Sequence, residues 1–346
     1  MRYRVKTNNS IKSDDLSESL RRKIFELQSD KPVRLVPERE LAAQLGVSRM
    51  TVRVVLKKLK DEGILVQKQG SGTFINAVTG LDQISFLVAP DLKKDDPFYT
   101  AFMSEVYHAL SKKNISVKFV DCDRIHTAGQ DKSPLIIIGI IDEELIKRVV
   151  EAYINVITVY MYPDIDTFTQ IVFDDYGIGY RAAKLLIERD MNVLVHLAGP
   201  LKYPSPRFRS QGFHHAAERF AVKCVELDGK MNYNCGVNMV NDVLALIGNT
   251  QDKVGVFASN DWMALGLMHA LQENGIVIPD RISIIGCDDI PLASQGKPAL
   301  TTFRWDFELL IEEVLTEFRY MYSSPTYCRK KIMLNAEYVE RDTLRG

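Results

Sequence analysis

Leu16, Leu20, Ile24 and Leu27 recur at spacings of four, four and three, which sets one apolar stripe along a helix of about four turns. Pro37 suits a first helical turn, so a second helix starts there, runs through Leu41 and Ala42 and stops near Gly46. Ser48 caps a third helix that turns Val52, Val55, Leu56 and Leu59 inward and ends around Gly63. Two β-prone runs, Ile64–Lys68 and Thr73–Asn76, flank Gln69-Gly70-Ser71-Gly72 and predict a hairpin.

The order helix, helix, tight turn, helix, hairpin describes a winged helix-turn-helix over residues 1–76. Residues 77–82 (AVTGLD) form a short linker. From Gln83 the pattern changes. Near-continuous apolar runs alternate with amphipathic helical segments: ISFLVA (84–89), ISVKFV (115–120), PLIIIGI (134–140), NVITVY (155–160), QIVF (170–173), NVLVHLA (192–198), KVGVFA (253–258) and ISIIGC (282–287). Strands of that kind belong to parallel sheets covered by helices on both faces. The fold class is therefore α/β: a small winged helix-turn-helix domain followed by doubly wound parallel sheets.

Charge sharpens the division. Residues 1–76 hold 16 Lys and Arg against 9 Asp and Glu, a net of +7, while the rest of the chain carries −8. A basic module on an acidic body suits polyanion binding by the first part alone. No stretch approaches the roughly 20 apolar residues of a membrane span, and the polar start MRYRVKTNNSIKSDD has no apolar core of a secretory signal. The five cysteines are scattered without CxxC spacing, which points to reduced thiols and a cytoplasmic location.

Residues 36–75, VPERELAAQLGVSRMTVRVVLKKLKDEGILVQKQGSGTFI, resemble the GntR family of bacterial regulators. The likeness rests on Glu38–Ala42 (ERELA), Gly46–Arg49 (GVSR) and Gly72–Phe74 (GTF). Two features depart from it: LVPERE stands for the usual LPSERE, and Met50 where a small or polar residue is commoner. The resemblance implies operator DNA as a partner. Arg49 and Arg53, four apart on one helix face, would fork onto guanine O6 and N7. Ser48 and Thr51 would donate to phosphate or base, Arg39 would hold the backbone, and Gln69, Gly70 and Ser71 would approach it from the wing tip.

From residue 83 onward the chain resembles the effector domain of the LacI family, itself similar to periplasmic sugar-binding proteins. The residues that carry the likeness include ISFLVAPDLKKDDPFYTAFMSEV, VFDDYGIGYRAAKLLIERD, LAGPLKYPSPRFRSQGF and the run ASNDWMALGLMHALQENGIVIPDRISIIGCDDIPLASQGKPALTTFRWDF. It implies two lobes joined by three crossovers: one of roughly 83–172 plus 302–324, the other 173–301 plus 325–346. A GntR-type head on such a body looks like the arabinose-responsive AraR-type repressors in architecture. Ligands of open α/β sheets sit beyond the strand carboxyl ends. Asp174, Asn260, Asp261 and Asp288 follow strands, and Arg207 stands where the LacI pattern implies a ligand-contacting arginine. Phe98, Tyr99, Tyr160 and Trp305 supply aromatic faces.

Other chemistries find little support. GIGYRA (177–182) fits the dinucleotide pattern GxGxxA, but the next strand ends in Gly-Pro where an acidic residue is needed. The six histidines lack metal-ligand spacing, and His214 and His215 point to different helix faces. No nucleophile, cofactor or metal motif is present, so the expectation is a non-enzymatic, homodimeric, ligand-responsive regulator. Its effector would be a monosaccharide or sugar phosphate. A transport-type sugar-binding protein and a purine- or nucleoside-responsive regulator are the alternatives. Lacking a helical stripe, the linker leaves the signal to pass through lobe geometry and head packing.

Overall fold

The computed structural model describes residues 32–345 except 62–63, 77–80, 91, 93–95, 126–132, 248–252 and 324–326, together with Leu20, Ile24 and Leu27. Leu16, Gly63 and most of the linker lie outside the described residues. In the head, strand β1 (Val33–Arg34) precedes helix α1 (Glu38–Leu45), which follows Pro37 and ends at Gly46. The φ of 64° at Gly46 is the left-handed turn that closes a helix C-terminus. Helix α2 (Arg49–Asp61) begins where the Ser48 hydroxyl accepts the Thr51 amide at 3.1 Å.

Val52, Val55, Leu56 and Leu59 are all buried, as their spacing requires. Strands β2 (Leu65–Lys68) and β3 (Gly72–Ile75) form the expected hairpin, and β1 adds a third antiparallel strand to give the order β1-β3-β2. Two residues carry no period, so β1 is invisible in the sequence pattern. Leu20 and Ile24 are helical and buried in this core, whereas Leu27 is half exposed. Tyr320, from far along the chain, packs against the same cluster.

The first body sheet holds β4 (Gln83–Val88), β5 (Ser116–Val120), β6 (Leu135–Ile138), β7 (Val156–Thr158), β8 (Thr169–Phe173) and β14 (Lys331–Leu334), in the order β14-β8-β7-β6-β4-β5 with every pairing parallel. The second holds β9 (Val193–Ala198), β10 (Lys223–Asp228), β11 (Val254–Ala258) and β12 (Ile282–Ile285), ordered β10-β9-β11-β12 and again parallel. Around the first lie α3 (Pro97–Lys112), α4 (Glu143–Ala152) and α10 (Phe307–Ser323). Around the second lie α5 (Asp175–Glu188), α6 (Pro204–Arg219), α7 (Tyr233–Asn238), α8 (Val240–Ile247) and α9 (Asp261–Glu273). An antiparallel pair, β13 (Thr302–Arg304) and β15 (Glu337–Val339), completes the body.

The lobe boundaries need correction at the C-terminal end. Residues 301–304 bridge to the end of β12 and the residues after it, through Ile285 with Thr301 and Asp288 with Arg304, so 302–304 do not belong to the first. Conversely β14, expected in the second lobe, pairs in parallel with β8 in the first. A four-residue strand whose partner lies some 160 residues earlier leaves no local trace. The chain thus passes between sheets after Phe173, between Arg304 and Phe307, and between Leu334 and Glu337.

Two glycines set the position of the helices that matter for the cleft. A Cβ on Gly179 of α5 would overlap the Arg209 carbonyl of α6, and one on Gly212 of α6 would overlap the Tyr176 carbonyl of α5. Gly179 of the dinucleotide-like GIGYRA segment therefore serves close helix packing, which brings Asp175 beside Arg209.

Candidate functional site

A cavity of about 170 Å³ opens between the two sheets. Its walls come from the residues that follow strand carboxyl ends: Ala89 after β4, Gly139 and Ile140 after β6, Tyr160 after β7, Pro200 after β9, Met231 after β10, Asn260 after β11 and Asp288 after β12. In each sheet the strand order reverses beside its first strand, β4 or β9. That is where an open α/β sheet leaves a crevice.

Six of the nine side chains expected to meet a ligand line this cavity: Phe98, Tyr99, Tyr160, Asn260, Asp288 and Trp305. Phe98 meets Trp305 edge-on at 5.1 Å, and Trp305 lies on Phe173 at 4.4 Å. The buried indole Nε1 of Trp305, in the cavity wall, has no hydrogen-bond partner among the described residues, while the Tyr160 hydroxyl faces that of Tyr99 across the same cavity. An unmet buried donor costs about 1–3 kcal/mol, so the free indole N–H points to a ligand with a polar group. Burial pushes the Tyr99 phenol up to about 12 and that of Tyr160 well above its ordinary value. Both stay protonated at neutral pH.

The charged centre of the cavity is Arg209. It is buried, donates from Nε to Asp175 at 2.8 Å and from Nη1 to the Ser259 carbonyl at 2.5 Å, and stands 3.8 Å from Asp288. Burial opposes the arginine charge, but the acidic groups around it, Asp175 and Asp288 among them, more than offset that and raise its pKa. Asp288 is pushed upward by burial, with Arg209 working in the other direction. Its φ of 118° is a conformation few non-glycine residues adopt, held here by its amide donating to the Phe303 carbonyl at 2.8 Å. The neighbouring Asp289 is locked by Arg304 at 2.6 Å and Arg341 at 2.5 Å.

Three expected residues lie elsewhere. Arg207 is two positions from Arg209 on α6, a rotation of about 200°, and its guanidinium rests over the Phe208 ring instead. The cavity side of α6 is Pro204, Ser205, Pro206 and Arg209. Asp174 caps α5, accepting the Gly177 amide at 2.8 Å. Asp261 is fully buried, accepting the Thr302 hydroxyl at 2.6 Å and the Ile290 amide at 3.0 Å. Burial raises its pKa to about 7. Conversely the sequence passed over Asp96, Tyr203, Lys230 and Met231, all cavity residues. Asp96 precedes the PFY segment and caps α3 through the Phe98 amide at 2.9 Å, a capping signal legible in principle.

On the head, Arg39, Ser48, Arg49, Arg53, Gln69, Gly70 and Ser71 are exposed, and Thr51 is half-buried. Ser48 and Thr51 share a hydroxyl hydrogen bond at 2.7 Å, so they first serve to cap α2. Arg53 pairs with Glu38 of α1 at 3.0 Å, an exposed contact that a phosphate or guanine readily replaces. The outer face of α2 also presents Met50 and Val54, 64% and 59% exposed. Apolar groups there suit thymine methyls in a major groove, a role the motif did not indicate. At the wing, Gly70 (φ 73°) and Gly72 (φ 111°) make the turn, with Arg34 beside Gly72 and Lys68 over the Phe74 ring.

Comparison with known proteins agrees with this geometry. Residues 12–75 match Bacterial regulatory proteins, gntR family, and residues 183–344 match the Periplasmic binding protein-like domain. The HTH-type transcriptional repressor PurR of Vibrio cholerae serotype O1 (strain M66-2) is 30% identical over 194 residues, 53% of this chain and 54% of that protein. The ribose operon repressor of Escherichia coli (strain K12) is 28% identical over 200 residues, 56% of this chain and 60% of that protein. The chain spans little more than half the length of the curated relatives it matches. A solved transcriptional regulator CelR–cellobiose complex superposes with a TM-score of 0.65 at 19% identity, covering 89% of this chain and all of the other; it shares the fold.

Proposed function

From a chain that joins a gntR-family regulatory head to a periplasmic binding protein-like body, we infer a ligand-gated transcription regulator. It is a repressor that holds operator DNA as a homodimer in the cytoplasm, performs no catalysis, and is released when a small neutral sugar occupies the cleft. The observation that carries the effector class is the unmet indole donor, Trp305 Nε1, in an aromatic-walled cavity with the Tyr99 and Tyr160 hydroxyls, Arg209 and Asp288. Hydroxyl groups both accept from such a donor and bond to the Asp288 carboxyl group, while sugar ring C–H faces suit the aromatic walls. The repressor role is supported by the relatives named as repressors, and a sugar by the ribose operon repressor and by cellobiose in the CelR complex.

A neutral sugar fits better than its phosphate. Arg209 is already engaged by Asp175 and Asp288, and the other cation of the lining, Lys230, is exposed and shares the cavity with a further carboxylate, Asp96. On the head, Arg49 and Arg53 of α2 read the major groove, with the wing Gln69-Gly70-Ser71 on the adjoining backbone and Arg39 supporting it. Ligand shifts the DNA equilibrium only by its differential affinity for the closed cleft; couplings of about 1–3 kcal/mol, some 5–150-fold, are typical.

The test is operator retention by the full chain, with and without pentoses, hexoses, sugar phosphates and nucleobases, beside thermal shift on the same panel. A neutral sugar should raise the melting temperature and weaken the complex, and Arg49→Ala should abolish specific retention while keeping the thermal shift. Stabilisation by a nucleobase alone would move the effector class to the purine reading. Absence of salt-sensitive binding to any genomic duplex would remove the regulator role itself.

A further inference from the structure

Three side chains of the second lobe converge away from the cleft. His196 lies on β9, His214 on α6 and Glu226 on β10. One nitrogen of each imidazole and one carboxylate oxygen all lie within 4.8 Å of one another. His196 Nδ1 and His214 Nε2 are each 3.0 Å from Glu226 Oε2, and the Ser210 hydroxyl donates to the same oxygen. A carboxylate oxygen has about two lone-pair sites. Three partners therefore crowd a point better suited to a cation.

Preparation around the cluster goes further than a hydrogen-bond staple requires. The His196 ring packs against Phe213 and Phe257, each centroid 5.3 Å away, and the two phenyl rings stand 5.5 Å from one another, so the three rings form a tight triangle. Its second nitrogen, Nε2, stands 3.0 Å from Ser259 Oγ, which also accepts the Gly199 amide at 3.1 Å. Metal-bound histidines have such a fixed partner on the far nitrogen. His196 is fully buried, but the His214 and Glu226 side chains are 35% and 23% exposed, which leaves an open approach and room for a solvent ligand. As hydrogen-bonded here, His196 Nδ1 and His214 Nε2 each donate an N–H to the Glu226 carboxylate, and taking up an ion shifts each imidazole to its other tautomer.

We propose that His196 Nδ1, His214 Nε2 and Glu226 form a binding site for one divalent transition-metal ion of the zinc class. Two histidines and a glutamate are a recognised zinc donor set, and at bond lengths near 2.0–2.1 Å tetrahedral donors stand about 3.3 Å apart. Opening the two 3.0 Å separations by a few tenths of an ångström admits the ion. Coordination through Nδ1 fixes the remaining proton on Nε2, so His196 then donates to Ser259, whose carbonyl holds Arg209 at 2.5 Å. The ion sits two side chains from the cleft arginine, and its binding is independent of whether the cleft takes a sugar.

Metal-free full chain is titrated with Co²⁺ and then Zn²⁺, following the cobalt ligand-field bands and competition with a chromophoric chelator. One equivalent should bind with a tetrahedral spectrum lacking thiolate charge-transfer bands, and Zn²⁺ should displace it. His214→Ala and Glu226→Gln should each weaken binding by about tenfold or more. Cys224→Ser, on the same strand as Glu226, should leave it unchanged. The half-exposed His214 is removable without opening the core, so that variant decides the matter should Glu226→Gln fail to fold. A thiolate band, wild-type affinity in His214→Ala, or no stoichiometric uptake by the wild type would overturn the site.

Discussion

Replacing Arg209 by Met removes the one buried cation that faces both Asp175 and Asp288. The three side chains are 3%, 4% and 6% exposed, so water cannot take over the solvation that the guanidinium supplies. Deleting one partner of a buried pair costs about 3–5 kcal/mol. Asp288 escapes part of this because burial already drives it towards its neutral form. The charge left stranded is therefore that of Asp175, which loses the 2.8 Å hydrogen bond to Nε. Changing Asp175 to Asn in the same chain removes that charge and should recover most of the loss, giving a double-mutant coupling of about 2 kcal/mol or more. Urea denaturation followed by tryptophan fluorescence isolates the effect, since both tryptophans, Trp262 and Trp305, belong to the body; circular dichroism guards against a purely local change at Trp305. Sugar binding should be lost in the single and double variants alike. A single-variant loss below about 1 kcal/mol, or an Asp175→Asn penalty unchanged by the Arg209 replacement, would refute this account of the cleft.

Trp305→Phe deletes an unmet indole N–H and should weaken the effector about 2–10-fold, the value of one hydrogen bond, by calorimetry; undiminished affinity would exclude Nε1 from the contact. Asp261 titrates near 7 when folded against 3.8 otherwise. The folded chain therefore holds a proton that the unfolded chain releases, and this contribution, complete below the unfolded value, declines as pH rises through the folded one. Wild-type stability should fall more steeply than that of Asp261→Asn between about pH 5 and about pH 8; parallel curves would sink the assignment. Tyr320→Ala should leave operator affinity and sugar affinity near wild type but reduce the dependence of one on the other. A full sugar response in that variant, measured by retention assays, would rule out this contact as the route.

Much of the architecture could be read directly because buried strands are apolar at most positions on both faces. ISFLVA, PLIIIGI, NVLVHLA and KVGVFA each mark one strand of a covered sheet. Strand β10 (KCVELD) has one neighbour and mixes three charged residues with three apolar ones, so no continuous run announces it. The error at α6 is one of helical phase: Arg207 and Arg209 share a segment and a chemistry, and only packing against α5 at Gly179 and Gly212 decides which turns inward. Asp174 and Asp261 both follow strands, yet capping and a buried hydroxyl take them first. His196, His214 and Glu226 belong to different elements, and spacing rules built for a single helix or loop do not detect them.

Helix α10 starts two residues after Trp305, in the cleft wall, and its Tyr320 packs, partly buried, against the head core. At 1.5 Å per residue the stretch between them is about 20 Å of stiff rod. A pivot of about 5° at the cleft end would carry the far end sideways by roughly 2 Å. In a dimer the two rods would swing in opposite senses, so the recognition helices would fall out of step with successive turns of the duplex even if the linker stayed slack. Mechanical leverage, with the tether free of any duty beyond keeping the parts together, would then do what a folded hinge does elsewhere.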